Sequence, residues 1–177
     1  MQPPTVAVRP AVDADVPAIA AVHVRSWQGG YRGILSDEFL AGLDPDRRVP
    51  GWRDILAAAD LPRAGTLVAE ADGTLLGFVH FAASRDDDAA PSTAEVTSIY
   101  VHPDAWSTGA GRALMSAALD AMRAAGYAGA TLWVLDGNAR AARFYRAAGW
   151  EPDGSTKQET IAGQPVPEVR YRHPLTH

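Results

Sequence analysis

Hydrophobic and polar side chains alternate over residues 5–9, and this β-prone stretch predicts a first strand. From 13 to 27 the period changes. Ile19, Val22 and Trp27 recur at helical spacing behind Asp13, which suits a helix N-terminus, and Gln28-Gly29-Gly30 is expected to break that helix. Ser36 is expected to cap a short helix through Leu43, and 45–59 reads as a further helix, interrupted or kinked near Pro50. The pattern then returns to period two. Strands are expected at 66–70 and 75–82 around an Asp72-Gly73 hairpin turn, and a long one at 93–101, ended by His102-Pro103. A polar loop at 84–92 carries Asp86, Asp87 and Asp88. Residues 109–125 form an amphipathic helix with Leu114, Ala118, Ala121 and Met122 on one face and Gly126 as its stop. A buried strand at 130–135 follows, then a helix from an Asn138 cap to Ala148 that Gly149 ends. Two closing strands, near 155–161 and 166–172, flank a Gly163-Gln164 turn.

These elements show no repeat and no linker, so one domain is expected over 1–177, with its core at about 5–174. An antiparallel meander runs into a strand–helix–strand unit, whose connection is expected to be a right-handed crossover. The fold class is α/β (mixed α+β): a central mixed, mostly antiparallel sheet of about seven strands with helices on both faces.

Composition narrows the function classes. The 177 residues are 47% hydrophobic and 21% charged, an ordinary globular profile. No apolar run approaches the ~20 residues that span a bilayer, and Met1 to Arg9 lacks the pattern of a signal peptide. A cytoplasmic location with no membrane partner is expected. The chain has no cysteine, which removes disulfides, thiolate metal sites and a thiol nucleophile. His23, His80, His102, His173 and His177 are not spaced as ligands, so no metal is expected. The net charge of −5 argues against nucleic acid and is compatible with a cationic amine as partner. A homodimer is left open.

The stretch from Ser98 to Met115 reads strand, loop, Gly-x-Gly, helix. Gly109 and Gly111 lack Cβ atoms, the first helical N–H groups are unpaired, and Arg112 adds a charge, so the segment suits a pyrophosphate. A tight turn before an amphipathic helix is the plainer alternative. A nucleotide-hydrolase loop is excluded because Arg112-Ala113 stands where Lys-Ser/Thr is needed, and a dinucleotide fingerprint because Leu114 replaces its third glycine. Asn138 and Tyr145, seven residues apart, share one helix face. Taken alone, Asn138 reads more readily as a helix N-cap and Tyr145 as a core residue.

Together the two stretches resemble the GNAT superfamily of N-acetyltransferases. The matching residues are Val101-His102-Pro103, Gly109-Ala110-Gly111, Asn138, Ala141, Tyr145 and Gly149-Trp150. The resemblance is clearest from Glu95 to Trp150, and the element order extends it over nearly the whole chain. Trp106 departs from it, standing where the family has Arg or Gln; this removes a side-chain contact and leaves the backbone cradle intact. The resemblance implies acetyl-CoA as co-substrate. Ile99, Tyr100 and Val101 would pair with the pantetheine arm as an added strand. Ser107, Thr108, Gly109, Ala110, Gly111 and Arg112 would hold the pyrophosphate, Asn138 would touch the cofactor or a nearby water, and Tyr145 would sit by the thioester sulfur.

Transfer to an amine requires deprotonation of an ammonium of pKa ~10.4, donors for the oxyanion and a proton for the thiolate. Tyr145 is the expected proton donor, and a backbone N–H freed where the 93–101 strand ends or bulges is the expected oxyanion donor. Glu95 is the candidate base, with Asp136 as the alternative and a solvated carboxylate as the plain reading. Without cysteine, direct transfer in a ternary complex is simpler than an acyl-enzyme. Trp27 and Tyr31, in a Gly-broken aromatic segment, are candidates to line the acceptor pocket, by cation–π contact or merely as core. Trp52 and Trp133 are expected in the core. The expected activity is acetyl transfer to a primary amine of a small-molecule or peptide acceptor. The alternatives are a non-catalytic acyl-CoA sensor on the same fold and a structural domain with no ligand.

Overall fold

The computed structural model describes residues 2–176; Met1 and His177 lie outside the described residues, and with them the outer limits of the expected domain and one of the five histidines. Strand β1 (Ala7–Pro10) leads through a 3-10 turn to helix α1 (Val16–Gly30), followed by α2 (Asp37–Ala41) and α3 (Val49–Ala57). Then come β2 (Gly65–Ala71), β3 (Thr74–Ala83), β4 (Thr93–Val101), α4 (Ala110–Ala124), β5 (Gly129–Leu135), α5 (Ala139–Ala147), β6 (Glu151–Ile161) and β7 (Gln164–Pro174). The seven strands form one sheet in the order β1-β2-β3-β4-β5-β7-β6. Every neighbouring pair is antiparallel except β4–β5.

Local chemistry accounts for most of these elements. Asp72 and Gly73 both take positive φ, as a two-residue hairpin between β2 and β3 demands. The Ser36 hydroxyl accepts from the Phe39 N–H and caps α2. Pro50 lies in the first turn of α3, where a missing N–H costs nothing; the interruption expected there is the join between a 3-10 turn, Pro45–Arg48, and the helix.

Three expectations are corrected. First, α1 does not break at Gln28 but runs through Gly30. A Cβ on Gly29 would lie 2.9 Å from the Pro103 side chain and 3.3 Å from Trp106, so this glycine allows the helix to press on the segment after β4. Packing thus overrides the low helix propensity of the Gly-Gly pair. Second, the last hairpin turns at Ala162-Gly163, one residue earlier than expected, with both residues at positive φ. Third, β6 begins at Glu151, not near 155. Its Pro-Asp-Gly start resembles a loop, yet Glu151 and Pro152 pair with Arg172 and Tyr171 before a register shift.

Both faces of the sheet are covered. On one, Leu114, Met115, Ala118 and Met122 of α4 pack on Val79, Phe81 and Val96, with Tyr145 and Trp150 in the same core. On the other, Val16, Ile19, Ala20 and Val22 of α1 meet Trp52, Val68 and Phe78. Trp52 is 4% exposed, as its core assignment expects.

Candidate active site

The site follows from a defect in the sheet. The parallel ladder between β4 and β5 contains three pairs, from Thr93–Gly129 to Glu95–Thr131, and then ends. Beyond Glu95 the two strands part. Thr97 is skipped in the register between β3 and β4, because His80 faces Ser98 and Phe81 faces Val96; this is a β-bulge. A cavity of about 570 Å³ opens in the gap between the parted strands.

Ile99, Tyr100 and Val101 form one wall of this cavity, and Leu132, Trp133 and Val134 of β5 form another. Ser107, Thr108, Gly109, Gly111 and Arg112 also line it. Ser107 and Gly109 have φ of +64° and +93°, so the chain there is wound to present amide groups in a concave turn. Ala110 is 1% exposed and packs into the core, so within the expected phosphate segment it offers its backbone. Gly111 has a second reason to lack a side chain: a Cβ there would lie 3.2 Å from the Phe144 ring. Trp106 also lines the cavity, and its indole N–H donates to the Val101 carbonyl at 2.9 Å.

Asn138 is an N-cap in fact: its Oδ1 accepts from the Ala141 N–H at 3.1 Å. It also lines the cavity, and its amide nitrogen makes no hydrogen bond among the described residues. Tyr145 lies two turns along α5, 9% exposed, with its ring against Phe144, Trp150 and Tyr171. Its hydroxyl has no hydrogen-bond partner among the described residues, and the residue lines the cavity. Burial, reinforced by the neighbouring Tyr100 hydroxyl, pushes this phenol well above its ordinary value, so it holds its proton at neutral pH.

At the far end Tyr31, from the C-terminal end of α1, meets Tyr100 hydroxyl to hydroxyl at 3.2 Å, and burial raises the titration of both. Tyr31 lines the cavity. Trp27 is not among its lining residues; it packs edge-on against Tyr31 at 5.0 Å and carries Arg48 on its ring. His23 backs Tyr100, stacked at 5.4 Å, and accepts from the Trp52 indole; burial pushes it down to about 3, so it is neutral.

Glu95 is 5% exposed on β4, where the strands begin to part. Its carboxylate accepts from the Arg85 backbone N–H at 3.2 Å and from the Arg85 guanidinium at 3.4 Å, and it does not reach the cavity wall. Asp136 is exposed and likewise outside the wall. Glu168 of β7 is a carboxyl the sequence did not single out. Burial raises it, Lys157 at 3.6 Å opposes that, and the fields of Glu159 and Glu95 add to it.

Trp133, expected in the core, is corrected to a wall residue. Alternation along β5 sets it on the face opposite Leu132 and Val134. Its indole N–H donates to Asp86 at 3.0 Å, and Lys157 lies 4.3 Å over its ring. Arg140 also lines the cavity and was not anticipated; an arginine near a helix start carries no signal until its neighbours are known. Among the described residues no group of three or more His, Asp or Glu is placed to hold a metal ion, and no helix is long and apolar enough to cross a membrane.

Residues 30–150 match the model of the Acetyltransferase (GNAT) family. The Mycobacterium tuberculosis protein named Probable N-acetyltransferase Rv2775 is 29% identical over 175 residues, 97% of this chain and 95% of that protein. Among solved structures, yncA of Salmonella typhimurium with its cofactor acetyl-CoA superposes with a TM-score of 0.70 at 24% identity, covering 97% of this chain and 94% of the other. A GCN5-related N-acetyltransferase structure from Rhodopseudomonas palustris reaches a TM-score of 0.76 at 21% identity, covering 98% of each chain. Those two likenesses bear on the fold.

Proposed function

Because the chain belongs to the acetyltransferase (GNAT) family, we propose that it moves the acetyl group of acetyl-CoA directly to a primary amine of a small-molecule or peptide acceptor in the cytoplasm. One observation carries the reading. Beyond Glu95 the backbone of β4 is released from β5 and borders a cavity of about 570 Å³. An unpaired strand edge wants amide partners, and the pantetheine arm of CoA has amides at suitable spacing. The charged residues along that cavity are Arg112 and Arg140, both cationic, within a chain of net charge −5. That is a site for a polyanionic cofactor.

Acetyl-CoA supplies the activated acetyl thioester. In this reading Ile99, Tyr100 and Val101 align the arm, and Ser107 to Arg112 hold the pyrophosphate on the α4 N-terminus. Asn138 turns its free amide nitrogen toward the cofactor or a water. The bulge at Thr97 supplies a backbone donor for the developing oxyanion. The amine nitrogen bonds to the acetyl carbon, the carbon–sulfur bond breaks, and Tyr145 gives its proton to the departing thiolate. Glu95 takes the amine proton through a water, because its carboxylate stops short of the cavity wall. Tyr31, backed by Trp27, borders the acceptor.

A turnover screen with acetyl-CoA across polyamines, aminoglycosides, amino acids and peptide N-termini tests the proposal by thiol release. Acetylation of one class supports it. Binding of CoA with no turnover on any class favours a sensor, and no CoA binding rejects both readings.

A further inference from the structure

Arg140 is a cation in an unfavourable place. It is the second residue of α5, at the positive end of that helix, and Arg143 follows one turn later. It forms no ion pair among the described residues. Its guanidinium nevertheless has a defined seat: Cζ lies 3.4 Å over the Trp106 ring. The indole is itself pinned, by its N–H on the Val101 carbonyl at 2.9 Å and by the close approach of Gly29. A guanidinium stacked by one face on an aromatic ring keeps its N–H edge free, in a fork that matches two phosphate oxygens. Arg140 lines the same cavity as Ser107, Gly109 and Arg112.

We propose that Trp106 and Arg140 form a preassembled phosphate clamp, in which the indole orients the arginine to bind a phosphoryl group of the cofactor opposite the α4 N-terminus. The inference rests on the acetyl-CoA reading above. It gives Trp106 a positive role: at this position the chain has no charged side chain of its own and supports one from α5 instead. It also explains why a cation stands at the α5 N-terminus, since the ligand brings the missing counter-charge.

The test measures CoA and dephospho-CoA affinity by calorimetry, and kcat/KM with acetyl-CoA and with S-acetylpantetheine, which lacks phosphates. Arg140→Gln is expected to weaken CoA on the order of 10-fold or more, the scale of a hydrogen bond to a charged group. The ratio of kcat/KM for acetyl-CoA over S-acetylpantetheine is expected to fall by a similar factor. Trp106→Phe, which keeps an aromatic face, is expected to lose less than Trp106→Ala, and the Trp106→Ala/Arg140→Gln pair to lose little more than either alone. A penalty that persists with dephospho-CoA assigns the pyrophosphate, and one seen with CoA alone assigns the 3′-phosphate. Wild-type affinity for CoA in Arg140→Gln, or an equal loss with S-acetylpantetheine, overturns the clamp and leaves the acetyl-CoA reading standing. Failure of the wild-type chain to bind CoA overturns both.

Discussion

The hydroxyls of Tyr31 and Tyr100 meet at 3.2 Å and join the end of α1 to the C-terminal end of β4 beside the cavity. Burial raises both phenols, so the pair stays neutral at physiological pH. Tyr31→Phe removes this link and a polar group at the expected acceptor end. The expected outcome is a rise in acceptor KM on the order of 10-fold, the scale of a hydrogen bond of about 1–1.5 kcal/mol, with CoA affinity within twofold of wild type. Initial-rate kinetics with each substrate varied in turn separates the two. A rise in the acetyl-CoA KM alone would place Tyr31 on the wrong side of the reaction.

Tyr145→Phe is a clean substitution, because the hydroxyl it removes has no hydrogen-bond partner among the described residues. Stability is expected to stay within about 0.5 kcal/mol of wild type. Loss of a general acid costs on the order of 10²-fold in kcat. Single-turnover kinetics checks this, and wild-type turnover would reduce Tyr145 to packing.

Glu95→Gln keeps the oxygen that accepts from the Arg85 N–H while removing proton affinity. The ascending acid limb of kcat/KM is expected to disappear, along with most of the rate. The acceptor's own titration, measured separately, must be subtracted. Glu168→Gln is the informative companion, because burial already holds that carboxyl above the usual range. If the limb survives in Glu95→Gln and vanishes in Glu168→Gln, the base is on β7.

Arg170 binds Asp86, Asp88 and Asp153 at 3.2, 2.7 and 2.7 Å and so ties the 84–92 loop to β6 and β7. Burial of Asp153 opposes its ionisation, but hydrogen bonds from Ser155 and Arg170 outweigh that and hold it below the usual carboxylate range. Arg170 likewise lowers Asp88. Depressed carboxyls stabilise the fold above their unfolded pKa of ~3.9, and the contribution fades as pH falls through the folded values. Arg170→Gln is therefore expected to cost about 1.5–3 kcal/mol at pH 7, the scale of hydrogen bonds to a charged group, by leaving Asp86 and Asp153 without their guanidinium, with no share assigned to the exposed Asp88, and far less at pH 2. Urea unfolding at both pH values checks the sign. A difference that grows on acidification would contradict it.

The elements easiest to read were those whose signals are local. The Asp72-Gly73 turn, the Ser36 and Asn138 caps and the α4 stripe each follow from a few adjacent residues. What escaped depends on partners distant in sequence. Gly29 reads as a helix breaker until Pro103 and Trp106 are set beside it. Trp133 reads as core until the parting of β4 and β5 uncovers it. β7 enters between β5 and β6 through pairings such as Trp133 with Arg170, which no local periodicity encodes. Of the expected site residues, Ser107, Thr108, Gly109, Asn138 and Tyr145 lie on the cavity wall while Trp27 and Glu95 stand off it, and Arg140 emerged only once α5 was placed against Trp106.

The parted strands have a thermodynamic consequence. A sheet that stops pairing at Glu95 is one strand short, and on the reading above the co-substrate fills the vacancy. Occupancy and fold integrity are then linked: ligand at about 100 times its Kd adds about 2.7 kcal/mol to unfolding. Resistance of the β4 and β5 amides to hydrogen exchange would then rise and fall with the supply of acetyl-CoA and CoA, so the chain would be most vulnerable to proteolysis when that pool is depleted.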